Sequence, residues 1–393
     1  MGDFNRRSFM ATGAAVPLAS AFGISGSTAA PMNGGAASDL ERLRGVVKFT
    51  GDGQSLTPPE YSHVLQEILA KREIDPDYYS LGGSVAELEE RMAGILGKER
   101  AVFLPTGTLA NSLAVRIQAR GRSRAIVQDD SHLYNDSGDC AEVLSNLNLV
   151  PLAHDAGTFT LDDVERVLER TASGRVHTGV GTIVIESPIR RRLGELFDYD
   201  EMKRICRFAR DNDIATHLDG ARLFMASGYT SIAPAEFAAQ FDTVYVSMWK
   251  YFNAPSGAIL AGPRDLLDNL YHERRMFGGA LPEAWPLTAV ALHFVDGFEE
   301  RFAAGVAAFE KLMAELNELP GMRVEPVQNG SNVFKLHVEG ADLARFRAEL
   351  AERDVQLPGP AAAWSGFALK VNETLTRRPV EQTAQAFQEA LGA

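Results

Sequence analysis

Short apolar or β-branched runs recur along the middle of the chain. They predict strands at Ala101–Leu104, Arg124–Gln128, Gly181–Glu186, Ile214–Leu218 and Thr243–Ser247, with a further apolar run at Ala258–Ala261. Between them, apolar residues at helical spacing predict helices at Leu109–Arg120, Gly138–Leu147, Leu161–Thr171 and Asp198–Asn212, the third opened by Thr160. Upstream, Pro59 stands where a helix over Tyr61–Arg72 begins. Ser84 with Glu87 reads as a capping box for a helix that stops at Gly97. Strands alternating with helices imply a mostly parallel sheet covered by helices. Past Gly278-Gly279, Pro286 to Asn317 reads as a long amphipathic connector. Met322–Val327, Asn332–Val338, Ala341–Arg353 and Phe367–Asn372 then give strand, strand, helix, strand, and Pro379–Leu391 a last helix. The pattern is that of an α/β chain. An N-terminal arm and a large domain occupy residues 39–300, and a smaller C-terminal α/β domain occupies 301–393.

Composition narrows the function. The chain has 393 residues, 45% of them hydrophobic, which is ordinary for a globular protein with a large core. Its net charge of −13 argues against nucleic acid and against an anionic membrane surface as partners. The two cysteines, Cys140 and Cys206, make neither a metal-ligand spacing nor a disulfide framework and read as packing residues. At the N-terminus, Arg6-Arg7-Ser8-Phe9 precedes a weakly apolar run, Ala11 to Ile24, and small residues at Ser27-Thr28-Ala29-Ala30. This predicts a twin-arginine-type signal peptide and linker over residues 1–38, export to the periplasm or beyond, and a mature chain free of the membrane. The alternative is a cytoplasmic protein with a chance arginine pair.

In a parallel sheet, ligands collect beyond the carboxyl ends of the strands. The residues there are Pro105-Thr-Gly-Thr108, Asp129-Asp-Ser-His132, Glu186-Ser-Pro188, Asp219-Gly-Ala-Arg222, and Ser247 with Lys250. A lysine at the end of a buried strand is costly to desolvate. Its pKa falls, and the free amine becomes a nucleophile toward a carbonyl. Asp219 could hold a pyridinium nitrogen protonated, turning the ring into an electron sink. His132 could lie on such a ring and shuttle protons. Thr106-Gly107-Thr108 enters a helix and could bind an anion with its free amides, hydroxyls and dipole. Arg222 could grip a carboxylate in a fork. Each residue also has a plain structural use: a solvated lysine, a turn carboxylate, a packed histidine, a helix cap, a surface ion pair. Asp219 and Lys250 are separated by one helix and one strand, so both fall at one edge of neighbouring strands.

These strings resemble the threonine aldolase and aromatic amino acid β-eliminating lyase family, enzymes dependent on pyridoxal 5'-phosphate (PLP). The likeness is carried by Leu104-Pro-Thr-Gly-Thr-Leu-Ala-Asn111, Asp130-Ser-His132, His217-Leu-Asp-Gly-Ala-Arg-Leu-Phe-Met-Ala226 and Ser247-Met-Trp-Lys250 with Ala254-Pro255. It runs from about Phe49 to Gly279. The resemblance implies a PLP-dependent transferase fold of type I. It implies Lys250 as the lysine that bonds the cofactor, Asp219 on the ring nitrogen and His132 on the ring face. It further implies Thr106, Gly107, Thr108 and Ser247 at the cofactor, Arg222 at the substrate carboxylate, and a homodimer or homotetramer. Three segments depart from the family: Gly278-Gly-Ala-Leu-Pro-Glu283 carries Pro282 in place of an arginine, Gly51-Asp-Gly53 replaces Ser-Asp-Thr, and Ala368, with Lys370 nearby, replaces a C-terminal arginine. The implied activity is cleavage of a β-hydroxy-α-amino acid to glycine and an aldehyde. The alternatives are β-elimination on the same fold, or PLP binding with little catalysis, the latter motivated by Pro282 and Ala368.

Overall fold

The computed structural model describes residues 42–392, so the signal-peptide and linker segment expected over residues 1–38 lies outside the described residues. Seven strands form the main sheet: β2 (Arg100–Leu104), β3 (Arg124–Gln128), β4 (Asn148–Leu152), β5 (Val180–Glu186), β6 (Ala215–Asp219), β7 (Thr243–Ser247) and β8 (Ala258–Gly262). Their order is β2-β8-β7-β6-β5-β3-β4. Only β8 runs antiparallel to its neighbours. The mostly parallel α/β sheet is therefore as expected. Strand β4, whose apolar run is broken by Pro151, is an addition that the alternation of patterns does not announce. β5, β7 and β8 are buried along their whole length, which is what helices on both faces require.

Two helix boundaries differ from expectation. The helix Gly83–Leu96 is opened by Gly82 at φ 77°, not capped by Ser84. The Ser84 hydroxyl instead bonds the Thr288 hydroxyl at 2.7 Å, and Glu87 pairs with Arg72. The connector is two helices, Trp285–Val295 and Phe298–Asn317, parted where Gly297 takes φ 68°, a conformation that glycine adopts without penalty.

The second of these helices joins two cores. Phe298 and Phe302 belong to the core of the main sheet. Phe309, Leu312 and Leu316 belong to a second core with β9 (Met322–Pro326), β10 (Val333–Val338) and β12 (Gly366–Lys370), an antiparallel sheet in the order β12-β10-β9. A short strand at the start of the chain, β1 (Val47–Lys48), pairs with β11 (Val355–Gln356) in this second layer. The polypeptide then leaves the second core at Phe49 and reaches the residues that follow β6 and β7, Arg222 and Lys250 among them. That pairing decides where the Gly51-Asp52-Gly53 turn lies. Among the described residues no helix is long and apolar enough to cross a membrane. Cys140 and Cys206 are both free and buried.

Candidate active site

Strands β5, β6 and β7 are neighbours, and their register pairs Glu186 with Asp219 and Asp219 with Tyr245. In parallel strands, residues in register point to the same side of the sheet. Glu186, Asp219 and Tyr245 thus share one face and one edge. Helix Gly107–Gln118 packs on that face.

Asp219 is buried and accepts two hydrogen bonds, from Asn111 Nδ2 at 2.5 Å and from the Ala221 amide at 3.1 Å. Glu186 is equally buried. Its Oε2 accepts from the His132 amide at 2.5 Å and its Oε1 from the Arg190 amide at 2.9 Å. Gln128 clamps the Glu186 backbone on both sides, at 2.7 and 2.9 Å. Burial first, and the neighbouring Asp219 charge second, push the Glu186 carboxyl well above the ordinary glutamate range.

His132 opens a single helical turn, His132–Asn135, capped by Ser131. Its Nε2 lies 3.4 Å from the Thr108 hydroxyl. Burial lowers its pKa, against the pull of Asp219. At neutral pH the ring is therefore mainly uncharged.

Thr106 is the cap of helix Gly107–Gln118, and its hydroxyl accepts from the Leu109 amide at 3.2 Å. The amides of Gly107 and Thr108 have no intrahelical partner to reach. Gly107 is obligatory for packing: a Cβ there would stand 1.9 Å from the Tyr245 hydroxyl oxygen. Two residues beyond Tyr245 on the same face, the buried Ser247 hydroxyl has no hydrogen bond of normal geometry.

Lys250 lies three residues past β7, in the turn before β8, and its side chain is partly buried. Burial first, and then Arg222, bring its pKa down from 10.5 to about 8, while Asp52, Asp219 and Glu186 pull the other way. Asp52 pairs with Arg222, the neighbouring Gly53 packs on the Lys250 carbonyl, and Glu186 and Asp219 end adjacent strands in register, so these groups lie at one end of the sheet.

Arg222 is buried in the same cleft, but its fork is already taken. Its Nε and Nη2 both stand 2.9 Å from Asp52 Oδ2. Lys370, from β12, approaches Asp52 Oδ1 at 3.5 Å. Burial opposes ionisation of Asp52, yet Arg222 and then Lys370 outweigh it and hold the carboxyl far below the usual range. The loop carrying Asp52 is pressed against the lysine turn. A Cβ on Gly53 would meet the Lys250 carbonyl oxygen at 2.3 Å, and the Gln54 amide donates to Asn253 Oδ1 at 2.8 Å. Pro282 accepts a hydrogen bond from the Tyr79 amide at 2.9 Å through its carbonyl. Ala368 faces Lys335 across the β10–β12 ladder.

A family model described as Beta-eliminating lyase matches residues 62–339. The chain belongs to the beta-eliminating lyase family. Among relatives of this family, it is 23% identical over 346 residues to Low-specificity L-threonine aldolase 1 of Arabidopsis thaliana, covering 86% of this chain and 96% of that one. A Listeria monocytogenes structure, described provisionally as an L-allo-threonine aldolase, superposes with a TM-score of 0.73 at 27% identity, over 91% of this chain and all of the other. A serine palmitoyltransferase from S. paucimobilis, solved with PLP and myriocin bound, shares the fold alone: TM-score 0.59, 16% identity, 88% and 86% of the two chains. The family and the transferase fold that the strings around Lys250 imply are thereby established.

The structure brings Thr108, His132, Asp219, Arg222, Ser247 and Lys250 to one edge of the sheet. Reading the sequence gave no part to Asn111, Glu186 or Asp52. Asn111 carried a signal: it is a polar residue on the face of helix Gly107–Gln118 that the apolar spacing buries. Glu186 carried one too, as a charged residue ending an apolar strand. Asp52 carried none, because its partners are 170 and 318 residues away along the chain.

Proposed function

We propose that this protein is a PLP-dependent lyase that cleaves β-hydroxy-α-amino acids, L-threonine among them, to glycine and an aldehyde. The convergence of Lys250, Asp219 and His132 on one cleft, in a chain of this family, carries the reading. The cofactor fits the residues present. The unpartnered Ser247 hydroxyl and the amides of Gly107 and Thr108 suit a phosphate group, with Thr106 ordering that turn, and Asp219 is an acceptor set for a ring N–H. Bound PLP would supply an electron sink for the pair left at Cα.

The chain's own groups do the rest. Lys250, its pKa lowered to about 8, has a far larger neutral-amine fraction near neutral pH than an ordinary lysine. Asp219 would accept a hydrogen bond from the ring N–H of bound PLP. His132, uncharged, takes the β-hydroxyl proton as the Cα–Cβ bond breaks, and the aldehyde leaves. A proton delivered to Cα completes glycine. Arg222 and Lys370 flank the place for the substrate carboxylate, which must share Arg222 with Asp52. Assembly as a homodimer or homotetramer is proposed from the family resemblance alone. Export by the twin-arginine route is proposed from the Arg6-Arg7 segment alone.

The test is product analysis on purified protein with PLP. Glycine and acetaldehyde should form from L-threonine, and glycine and benzaldehyde from phenylserine. Lys250→Ala should lose both turnover and the visible cofactor band. Pyruvate and ammonia from a β-substituted amino acid would instead favour β-elimination, which the family description also supports. A yellow protein inert to every substrate would leave only cofactor binding.

A further inference from the structure

A chain of hydrogen bonds runs behind Asp219, through the sheet, to residues remote from the cleft. Thr182 Oγ1 lies 2.8 Å from Gln118 Oε1. Gln118 Nε2 lies 2.8 Å from Thr243 Oγ1, which lies 2.8 Å from His217 Nδ1. His217 Nε2 lies 2.9 Å from Asn111 Oδ1, and Asn111 Nδ2 lies 2.5 Å from Asp219. All six side chains are buried, with exposures of 0 to 2%. They come from helix Gly107–Gln118 and from β5, β6 and β7.

The direction of the protons in this chain follows from its two ends. Gln118 Nε2 also lies 2.9 Å from the Thr216 carbonyl oxygen, which can only accept. This fixes the Gln118 amide with its NH₂ toward Thr216 and Thr243. At the other end Asn111 Nδ2 donates to the Asp219 carboxylate, so Asn111 Oδ1 is left to accept from His217 Nε2, and Nδ1 of the neutral ring accepts from the Thr243 hydroxyl, which itself accepts from Gln118. With Nδ1 an acceptor, the neutral ring carries its proton on Nε2 and donates to Asn111 Oδ1. Each member is satisfied, and the last bond is one that a carboxylate accepts.

We infer that Asn111, His217, Thr243 and Gln118 are positioning residues: a one-way hydrogen-bond relay, its polarity set by the Thr216 carbonyl at one end and the Asp219 carboxylate at the other, that keeps Asp219 aimed at the ring nitrogen. The inference rests on the proposed use of Asp219 in PLP chemistry. Burial supports it by holding the His217 pKa at about 4, so the ring does not become a double donor near neutral pH. A histidinium would have to donate at Nδ1 as well, against the Thr243 proton.

The experiment has two arms. In the cofactor-free protein, nitrogen NMR of the His217 ring should show the Nε2–H tautomer, unchanged from about pH 5.5 to about 8.5, a span in which an ordinary imidazole titrates. An Nδ1–H tautomer, or titration within that span, overturns the relay whether or not the PLP reading survives. In the loaded enzyme, Thr243→Val keeps shape but removes the hydroxyl. It should lower kcat roughly tenfold with KM changed less than about twofold, and shift the pH titration of the cofactor band, while Thr243→Ser restores both. Equal kcat and equal band titration in the valine and serine variants overturn it as well. If the valine variant does not fold, the tautomer decides alone.

Discussion

Two buried carboxylates reach the cleft from opposite sides and are kept there by opposite means. Asp52, on the loop between β1 and the helix Pro58–Lys71, sits between two cations, Arg222 and Lys370, and is held ionised. Glu186, at the end of β5, forms no salt bridge among the described residues. Two backbone amides hold it, Asp219 lies in register beside it, and its charge is disfavoured. On the strand side, charge is managed by backbone and neutral side chains that the sheet fixes in place. On the loop side it is managed by ion pairs drawn from three distant segments. Rigid neutral donors suit a cofactor that stays, since they need no reorganisation. An ion pair open at one end suits a substrate carboxylate that comes and goes.

The comparison is broken most sharply at Asp219. Asp219→Asn keeps the shape, but its amide must turn its oxygen toward Asn111 and its NH₂ toward the Ala221 amide or the ring. Removing one preorganised electrostatic partner, such as an oxyanion-hole donor, costs about 10²–10³ in kcat, and Asp219 is taken as a partner of that order. We expect a loss of that size, a changed cofactor band and an unfolding midpoint close to that of the parent. Steady-state rates with urea unfolding check all three. A variant retaining most of its kcat would show that the strand side does not tune the ring.

The strand side was the legible half. A parallel sheet puts consecutive strand ends at one edge, so Asp219 and Lys250 could be placed together from their spacing alone. The helix entry at Thr106-Gly107-Thr108 could be placed there too. Local order carries that information. The loop side was not legible because nothing local to Gly51-Asp52-Gly53 says that β1 pairs with β11 and so swings Asp52 across to Arg222. Nor could the sequence say that the fork of Arg222 meets a protein carboxylate before any substrate arrives. Ser84 failed as a cap for a related reason: its hydroxyl has a better use in a tertiary contact with Thr288 than at the end of its own helix.

The loop side is tested by Asp52→Asn. Because the folded pKa of Asp52 is depressed, its stabilisation is complete above the pKa of an unfolded aspartate, about 3.9, and is lost only as pH falls through the folded value. At neutral pH the substitution therefore removes all of it. Arg222 is left buried without its counter-charge, a change that costs about 3 kcal/mol or somewhat more. Urea unfolding at neutral pH measures this. The same variant frees the fork, so added glycine should raise the thermal midpoint of Asp52→Asn by more than it raises the parent's. An equal shift in both would mean that Asp52 and the ligand carboxylate do not compete for Arg222.

The smallest effect belongs to Glu186 and appears as a slope. Its folded pKa, about 7, lies above the value near 4.3 of an exposed glutamate. Between those values the folded protein binds more protons than the unfolded chain, so stability falls as pH rises through the window. Below it the carboxyl is neutral in both states and costs nothing. Above it the cost of the charge is complete. Glu186→Gln has no proton to lose. Relative to the parent, it should gain about 1–2 kcal/mol of stability between pH 5 and pH 8. The gain should come with a loss in the cleft. An amide can accept from only one of the His132 and Arg190 amides, so the turn that carries His132 is held less firmly. Hydrogen exchange over residues 129–138, read beside urea unfolding at the two pH values, separates these effects. Faster exchange with a flattened slope is the expected pair, whereas a slope like the parent's would mean that Glu186 carries its charge at no cost.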